Sequence, residues 1–523
     1  MTSLFLLISV QAVATPFAID PQIQIRRVLS TVADSGAKSV RIAKNPRNSE
    51  LYYLKANGDI YRVNLAPGTG STAILNDTAA DHGLSTCVEG FAIGSDGTMY
   101  VTGNSRTNNG NANWVRIMKG VPSGAGRKWT TLAETQPYPL SKTAYDHLAN
   151  GLVVSPDGQW LFINFGSRTD HGEVESTGGL YPNLRETALT AKILRLPTSG
   201  QDLILTNELT ALKSAGYVFA EGTRNAFDLG FAPNGDLFAT DNGPDRDMSD
   251  ELNWLQAGQH YGFPWRMGGA DNPQQFPDYD PAQDHLLDLR YGAVKAGTYK
   301  NDPTFPKPSA LFSEPVINLG PNANSYRSPD GSIHKSVKGQ SLSTFTAHRS
   351  PLGLVFDVEG ALAYPYQEHG FVLGWTHGDP DGDSVVGPFK DAGEDLSDLN
   401  LTKLGETNYQ AQVTTIVGGF SNPVDAAIIG NRIYVIEYGG DQSIWELSFP
   451  PSITLSSPSL ASRGIDFTSD GPAGQTNFLS TSTNLRTWQP LTNFLPLSSP
   501  YRIRVPTPTN PPSPFHFYRI TTQ

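Results

Sequence analysis

Six segments of the chain repeat one shape: a short apolar strand, a tight turn and a second apolar strand. They read "NSELYYLKANGDIYRV" from Asn48, "FAIGSDGTMYVTG" from Phe91, "GLVVSPDGQWLFINFG" from Gly151, "LGFAPNGDLFATDNG" from Leu229 and "PVDAAIIGNRIYVIEYGG" from Pro423, with a looser copy from Pro351. The Asn-Gly and Asp-Gly pairs supply the positive φ of a hairpin turn, and the residues on either side favour strands. A hairpin of this kind cannot bury itself alone, so its repetition predicts an all-β fold, a six-bladed β-propeller. The long interval Pro264–His348, rich in Pro, Asp, Asn and Gly, reads as insertion loops over one face, with a degenerate seventh blade as the alternative.

The propeller is expected over residues 25–449. A Pro/Ser-rich linker follows at 450–460, and the alternating pattern of 461–523 suggests a small β-sandwich-like module. At the other end, the apolar run Leu4–Val10 and the small residues Ala12-Val13-Ala14 read as a signal peptide over 1–18, hence a secreted or periplasmic protein. No stretch approaches the roughly 18 apolar residues of a transmembrane helix. A net charge of −12 and the absence of a basic run argue against nucleic acid as a partner. The single cysteine, Cys87, excludes an intramolecular disulfide and multi-cysteine metal sites.

Chemistry concentrates at the starts and ends of the repeated strands. Asp146-His147 precedes the third repeat, and "EGTRNAFDLGF" (Glu221–Phe231) stands at the same point of the fourth. A histidine there can act as a general base, and Arg224 offers a fixed positive fork to a carboxylate or a developing oxyanion, with Asn225 beside it. The alternatives are a loop histidine and an arginine paired with Glu221 or Asp228. "TDNGPDRDMSDELN" (Thr240–Asn253) carries Asp241, Asp245, Asp247, Asp250 and Glu251 around Gly243-Pro244, whose carbonyls could ligate a hard cation such as calcium. Asp250 and Glu251 are expected to brace this loop, and Asp245 and Asp247 to be solvated. "WTHGDPDGDS" from Trp375 places Asp379, Asp381 and Asp383 at alternate positions, a second candidate calcium loop that lacks the EF-hand spacing.

In order, "DHLANGLVVSPDG", "AKILRLP", "GTRNAFDLGFAPNGDLFATDNGP", "DELNWLQAGQHYGFPW", "HRSPLGLVF" and "GWTHGD" resemble the glucose/sorbosone dehydrogenase family. The resemblance implies an exported six-bladed propeller enzyme that uses pyrroloquinoline quinone (PQQ) and calcium to oxidise a small-molecule sugar, passing electrons to an external acceptor. It implies that His147 is the base, that Arg224 and Asn225 contact the quinone, that Gly243 and Pro244 bind calcium, and that His348 and His377 lie on the cofactor. Three positions depart from the family pattern. Gly166, beside Ser167, stands where the glucose-type enzymes carry the aspartate that orients the base, leaving Asp146 or Asp170 as substitutes. Phe227 replaces a glutamine, and "HGDPDGD" lacks the late arginine that would hold a quinone carboxylate. A carbohydrate-binding propeller without redox turnover and a calcium-dependent lactonase are the competing readings.

Overall fold

The computed structural model describes residues 15–449 except 69, 125, 309, 323–324, 336–342, 377–388 and 390, and beyond them 454–461, 464–470, 476–497, 500–506 and 517–522. Six sheets, antiparallel except for one parallel pair each in the second (Leu203–Leu205) and the fifth (Ile317–Asn318), make up most of the larger unit. Their first strands are Ser39–Lys44, Val88–Ile93, Ala149–Val154, Asp228–Phe231, Pro351–Phe356 and Pro423–Ile428. Each first strand packs on the next and the sixth packs on the first, so the sheets close into a ring with these strands innermost. The fourth sheet has three strands. In the sixth, the outermost strand is Gln24–Ser30 from the N-terminal side, paired with Ser443–Ser448, which closes the ring.

Local turn chemistry sets the repeat. Gly58, Gly97, Gly158 and Gly235 sit at φ 96, 82, 71 and 86°, in the region glycine tolerates best. The preceding Asn57, Asp96, Asp157 and Asn234 each accept, on Oδ1, the backbone N–H two residues on, at 2.9–3.2 Å. Apolar side chains fill the wedges between sheets: Ile117 and Leu161 between the second and third, Phe238 and Leu399 between the fourth and fifth, Ile42 and Tyr434 between the sixth and first. Among its described residues, the interval 264–348 contributes short ribbons and helical turns but no seventh blade.

The ring is plugged at its centre. Buried Arg41 donates from Nε to the Glu89 carbonyl and from an Nη to the Phe227 carbonyl, both at 2.8 Å, with Asp228 at 3.4 Å. Asp425 accepts the N–H of Ile42 at 2.9 Å, and Asp228 that of Leu354 at 2.8 Å. Burial raises the Asp425 carboxyl to about 8, with Asp228 adding to the effect, and burial also raises Asp228 despite Arg41. Unfolded carboxyls titrate near 4, so in this range the folded state binds more protons than the unfolded one. Stability should therefore fall as pH rises from about 4 through about 8. Urea midpoints at pH 5 and pH 8.5 test this: Asp425→Asn should flatten the difference, and an unchanged slope would contradict it.

Two compact units divide the chain, Met1–Ala361 with Glu368–Ser448, and Leu362–Gln367 with Phe449–Gln523. The expected boundary at residue 449 thus shifts by one, and Leu362–Gln367 joins the second unit. That unit holds two three-stranded antiparallel sheets, which both contribute to a core of Phe467, Leu479, Ile503 and Val505. Residues 1–14 of the expected signal peptide lie outside the described residues. Phe17 and Ala18, inside its boundary, instead pair with Gly418 and Val417 of the fifth sheet. Among the described residues no helix is long and apolar enough to cross a membrane.

Candidate functional site

A cavity of about 530 Å³ opens where the innermost strands begin. His147, Arg224 and His348 precede the innermost strands of the third, fourth and fifth sheets, and Asn242-Gly243 and Trp375 follow the second strands of the fourth and fifth. The antiparallel pairing returns those second strands to the same face, so repeated positions converge on one cavity. Tyr145, Phe227 and Tyr291 add aromatic walls, and Asp245 and Asp250 add carboxylates.

His147 is partly exposed to the cavity. Its Nδ1 lies 3.1 Å from Ser167 Oγ. Burial, and then the Arg224 guanidinium, lower its pKa to about 3, so the imidazole is neutral at ordinary pH. Neither Asp146 nor Asp170 orients it. Asp146 accepts the backbone N–H groups of Ser141 and Lys142 at 2.7 and 2.8 Å, and Asp170 faces Arg224. At Gly166 an added Cβ would lie 2.4 Å from His147 Cβ. Gly166→Ala should therefore push the imidazole aside and cost about 1–3 kcal/mol, read as a lower urea midpoint; an unchanged midpoint would contradict the close approach.

Arg224 is clamped from behind. Its Nε donates to the Asp170 carbonyl and one Nη to Asp170 Oδ1, both at 2.8 Å, and the other Nη donates to the Asn242 carbonyl at 3.2 Å. Of its five N–H groups, two have no partner among the described residues. Asp170 Oδ2 receives the Nδ1 of buried His171 at 2.8 Å and the Tyr299 hydroxyl at 3.1 Å, and the His171 ring stacks on Tyr299 with centroids 3.7 Å apart. Burial alone would raise the Asp170 carboxyl, but the His171 hydrogen bond and Arg224 outweigh it and hold it well below the usual carboxylate range. The backbone N–H groups of Arg224 and Asn225 both point at Asp241, whose carboxyl burial raises to about 7. The amide nitrogen of Asn225 has no partner among the described residues, while its Oδ1 accepts from Asn150 at 3.2 Å.

The acidic loop divides its labour. Asp250 accepts the N–H of Gly243 at 2.6 Å and of Ser350 at 3.0 Å, and Glu251 accepts that of Gly268 at 2.6 Å, so both brace the loop as expected. Asp247 is not solvated: it is 2% exposed and takes Arg327 Nε at 2.6 Å and His348 Nε2 at 2.9 Å. Asp245 is half-buried and accepts from the Tyr145 hydroxyl and from the N–H of Ala293. Both were expected in water, and partners from distant segments correct that reading. Gly243 lines the cavity, whereas Pro244 lines a separate small void with His171 and Tyr299. His348 also lines the cavity, its ring stacked on Tyr291 with centroids 4.0 Å apart. His377, Asp379, Asp381 and Asp383 lie outside the described residues. Ser167, His171 and Tyr299 were not singled out from sequence. The signal was present: "TDHG" from Thr169 repeats the "TDNG" of the following sheet.

A closed ring of six sheets with a polar cavity where the innermost strands begin defines a β-propeller with a candidate site on its ring of inner strands. The Glucose / Sorbosone dehydrogenase family model matches residues 50–285, so over that segment the chain is similar to this family. Quinoprotein glucose dehydrogenase B of Acinetobacter calcoaceticus is 26% identical over 277 residues, which are 48% of this chain and 55% of that protein. The chain thus spans about half the length of this curated relative. The holo form of the pyranose dehydrogenase PQQ domain from Coprinopsis cinerea superimposes with a TM-score of 0.50 at 10% identity, covering 84% of this chain and 98% of that one. The apo soluble aldose sugar dehydrogenase of Escherichia coli gives a TM-score of 0.48 at 14% identity, covering 82% and 99%.

Proposed function

We propose that this chain is an exported PQQ- and calcium-dependent dehydrogenase that oxidises an aldose or related sugar at its anomeric carbon. The observation that carries the reading is the convergence, in one aromatic-walled cavity, of a neutral imidazole, His147, with a buried guanidinium, Arg224, that keeps two N–H groups uncommitted among the described residues. The donor set suits a planar quinone: Arg224 and Asn225 supply N–H groups, and Phe227, Tyr291 and Trp375 supply flat walls. A cation is also needed, because Arg224 is the sole guanidinium or ammonium among the described lining residues and stands against Asp245 and Asp250. Gly243 and Pro244 are our proposed calcium ligands, and the buried Asn242 Oδ1, which lacks a hydrogen-bond partner, is an acceptor a nearby cation would satisfy.

When bound, PQQ supplies a two-electron acceptor for the hydride leaving the anomeric carbon. His147 accepts the anomeric hydroxyl proton, and Arg224, fixed by Asp170, stabilises negative charge developing beside it. A proton on His147 is repelled by Arg224 and leaves readily, which resets the base. The leader-like run Leu4–Val10 supports export, and the shared Phe467 core supports reading the two C-terminal sheets as a small sandwich. The two lining carboxylates favour a second reading, a propeller that binds sugar without the quinone. Calorimetric titration of PQQ into the protein, with and without calcium, separates the two. Calcium-dependent binding that weakens at least ten-fold in Arg224→Ala is expected; no quinone binding would remove the dehydrogenase reading.

A further inference from the structure

We propose that Ser167 is the positioning residue of the base, fixing His147 as the tautomer whose Nε2 lone pair faces the cavity. The inference rests on the proposed role of His147 as a proton acceptor. Its support is a chain of hydrogen bonds with one consistent direction. Ser167 Oγ–H donates to the Thr169 carbonyl at 2.8 Å. A hydroxyl has one proton, so toward His147 Nδ1, 3.1 Å away, the same oxygen can only accept. Nδ1 therefore carries the ring proton and Nε2 carries the lone pair. Among the described residues, none hydrogen-bonds Nε2, and His147 lines the cavity.

The backbone of Ser167 ties the base to the cation. Its N–H donates to the Arg224 carbonyl at 2.6 Å, and its carbonyl accepts the His147 N–H at 2.9 Å. Ser167 is completely buried, so no water competes for the hydroxyl. Position 166 cannot supply an orienting carboxylate, because any Cβ there meets His147. Among the described residues the charged groups acting on the imidazole are Arg224 and Asp170, and Asp170 and the adjacent Asp146 are both committed elsewhere. A hydroxyl orients the ring without adding negative charge. The base is then weaker than one paired with a carboxylate, and it favours hydroxyls as acidic as an anomeric one over those of ordinary alcohols.

The test is two-bond 1H–15N correlation on the 15N-histidine-labelled full chain without quinone, with His147 assigned from the spectrum of His147→Gln. The wild-type protein should give the Nδ1–H pattern, Ser167→Ala should lose it, and Ser167→Thr should retain it. In protein loaded with PQQ and calcium, Ser167→Ala should lower kcat roughly 10- to 100-fold with KM nearly unchanged. An Nε2–H pattern in the wild-type protein would overturn the proposal, as would an Nδ1–H pattern and kcat both preserved in Ser167→Ala. If the wild-type protein turns over no sugar, the dehydrogenase reading fails, but the wild-type and Ser167→Ala spectra still decide the Ser167 assignment.

Discussion

Replacing His147 by alanine should lower sugar oxidation by roughly two to four orders of magnitude while quinone affinity stays within a few-fold of wild type. The effect is large because, among the described lining residues, no other imidazole or hydroxyl is free to accept a proton as His147 is. His348 is engaged through Nε2 by Asp247, and the Tyr145 hydroxyl, which burial raises above its usual value, donates to Asp245. The same geometry fixes the pH dependence. Burial and Arg224 hold His147 near 3, so it is a proton acceptor throughout the neutral range. The rate should show no acid limb near pH 6.5 and should fall only as pH drops through about 3. Dye-reduction rates measured from pH 4 to 8 check this, and a limb centred near 6.5 would place the base elsewhere.

The second large effect concerns Asp170. Substitution by alanine leaves two buried groups, Arg224 and His171, without their shared carboxylate, and should destabilise the protein by about 3–5 kcal/mol. The folded-state pKa of Asp170 is depressed, so its contribution is present above the unfolded carboxyl value and is lost as pH falls through the folded value. Urea denaturation at pH 7 measures the loss. In Asp170→Asn, which keeps the shape and an acceptor oxygen, the midpoint should lie between wild type and Asp170→Ala. A midpoint for Asp170→Ala within about 0.5 kcal/mol of wild type would mean the clamp is not structural.

These two residues also mark what the sequence makes legible. The hairpin repeat could be read because its turn chemistry is local: each Asx side chain caps its own turn within two residues. The equivalent placement of His147 and Arg224 before successive strands was legible for the same reason. Partners brought together by ring closure were not. Arg327 and His348 reach Asp247 from 80 and 101 residues away, and nothing in "DRDMSD" announces that burial. The outer strand Gln24–Ser30 pairs across more than 400 residues, so no local pattern identifies it. Asp170 was seen only as a substitute orienter of His147, because its role depends on Arg224 turning back to meet it. The task of Ser167 needed coordinates, since one proton and two acceptors decide the tautomer.

In the proposed reaction one cavity joins the His147 base, the Arg224 clamp and a quinone oxidant to oxidise a sugar. Steady-state dye reduction by full-length protein loaded with PQQ and calcium, across a panel of aldoses, tests it most directly. Saturable turnover with at least one aldose, dependent on both PQQ and calcium and lost in His147→Ala, is expected. Quinone-loaded protein that reduces no dye with any sugar, or His147→Ala protein as active as wild type, would contradict it.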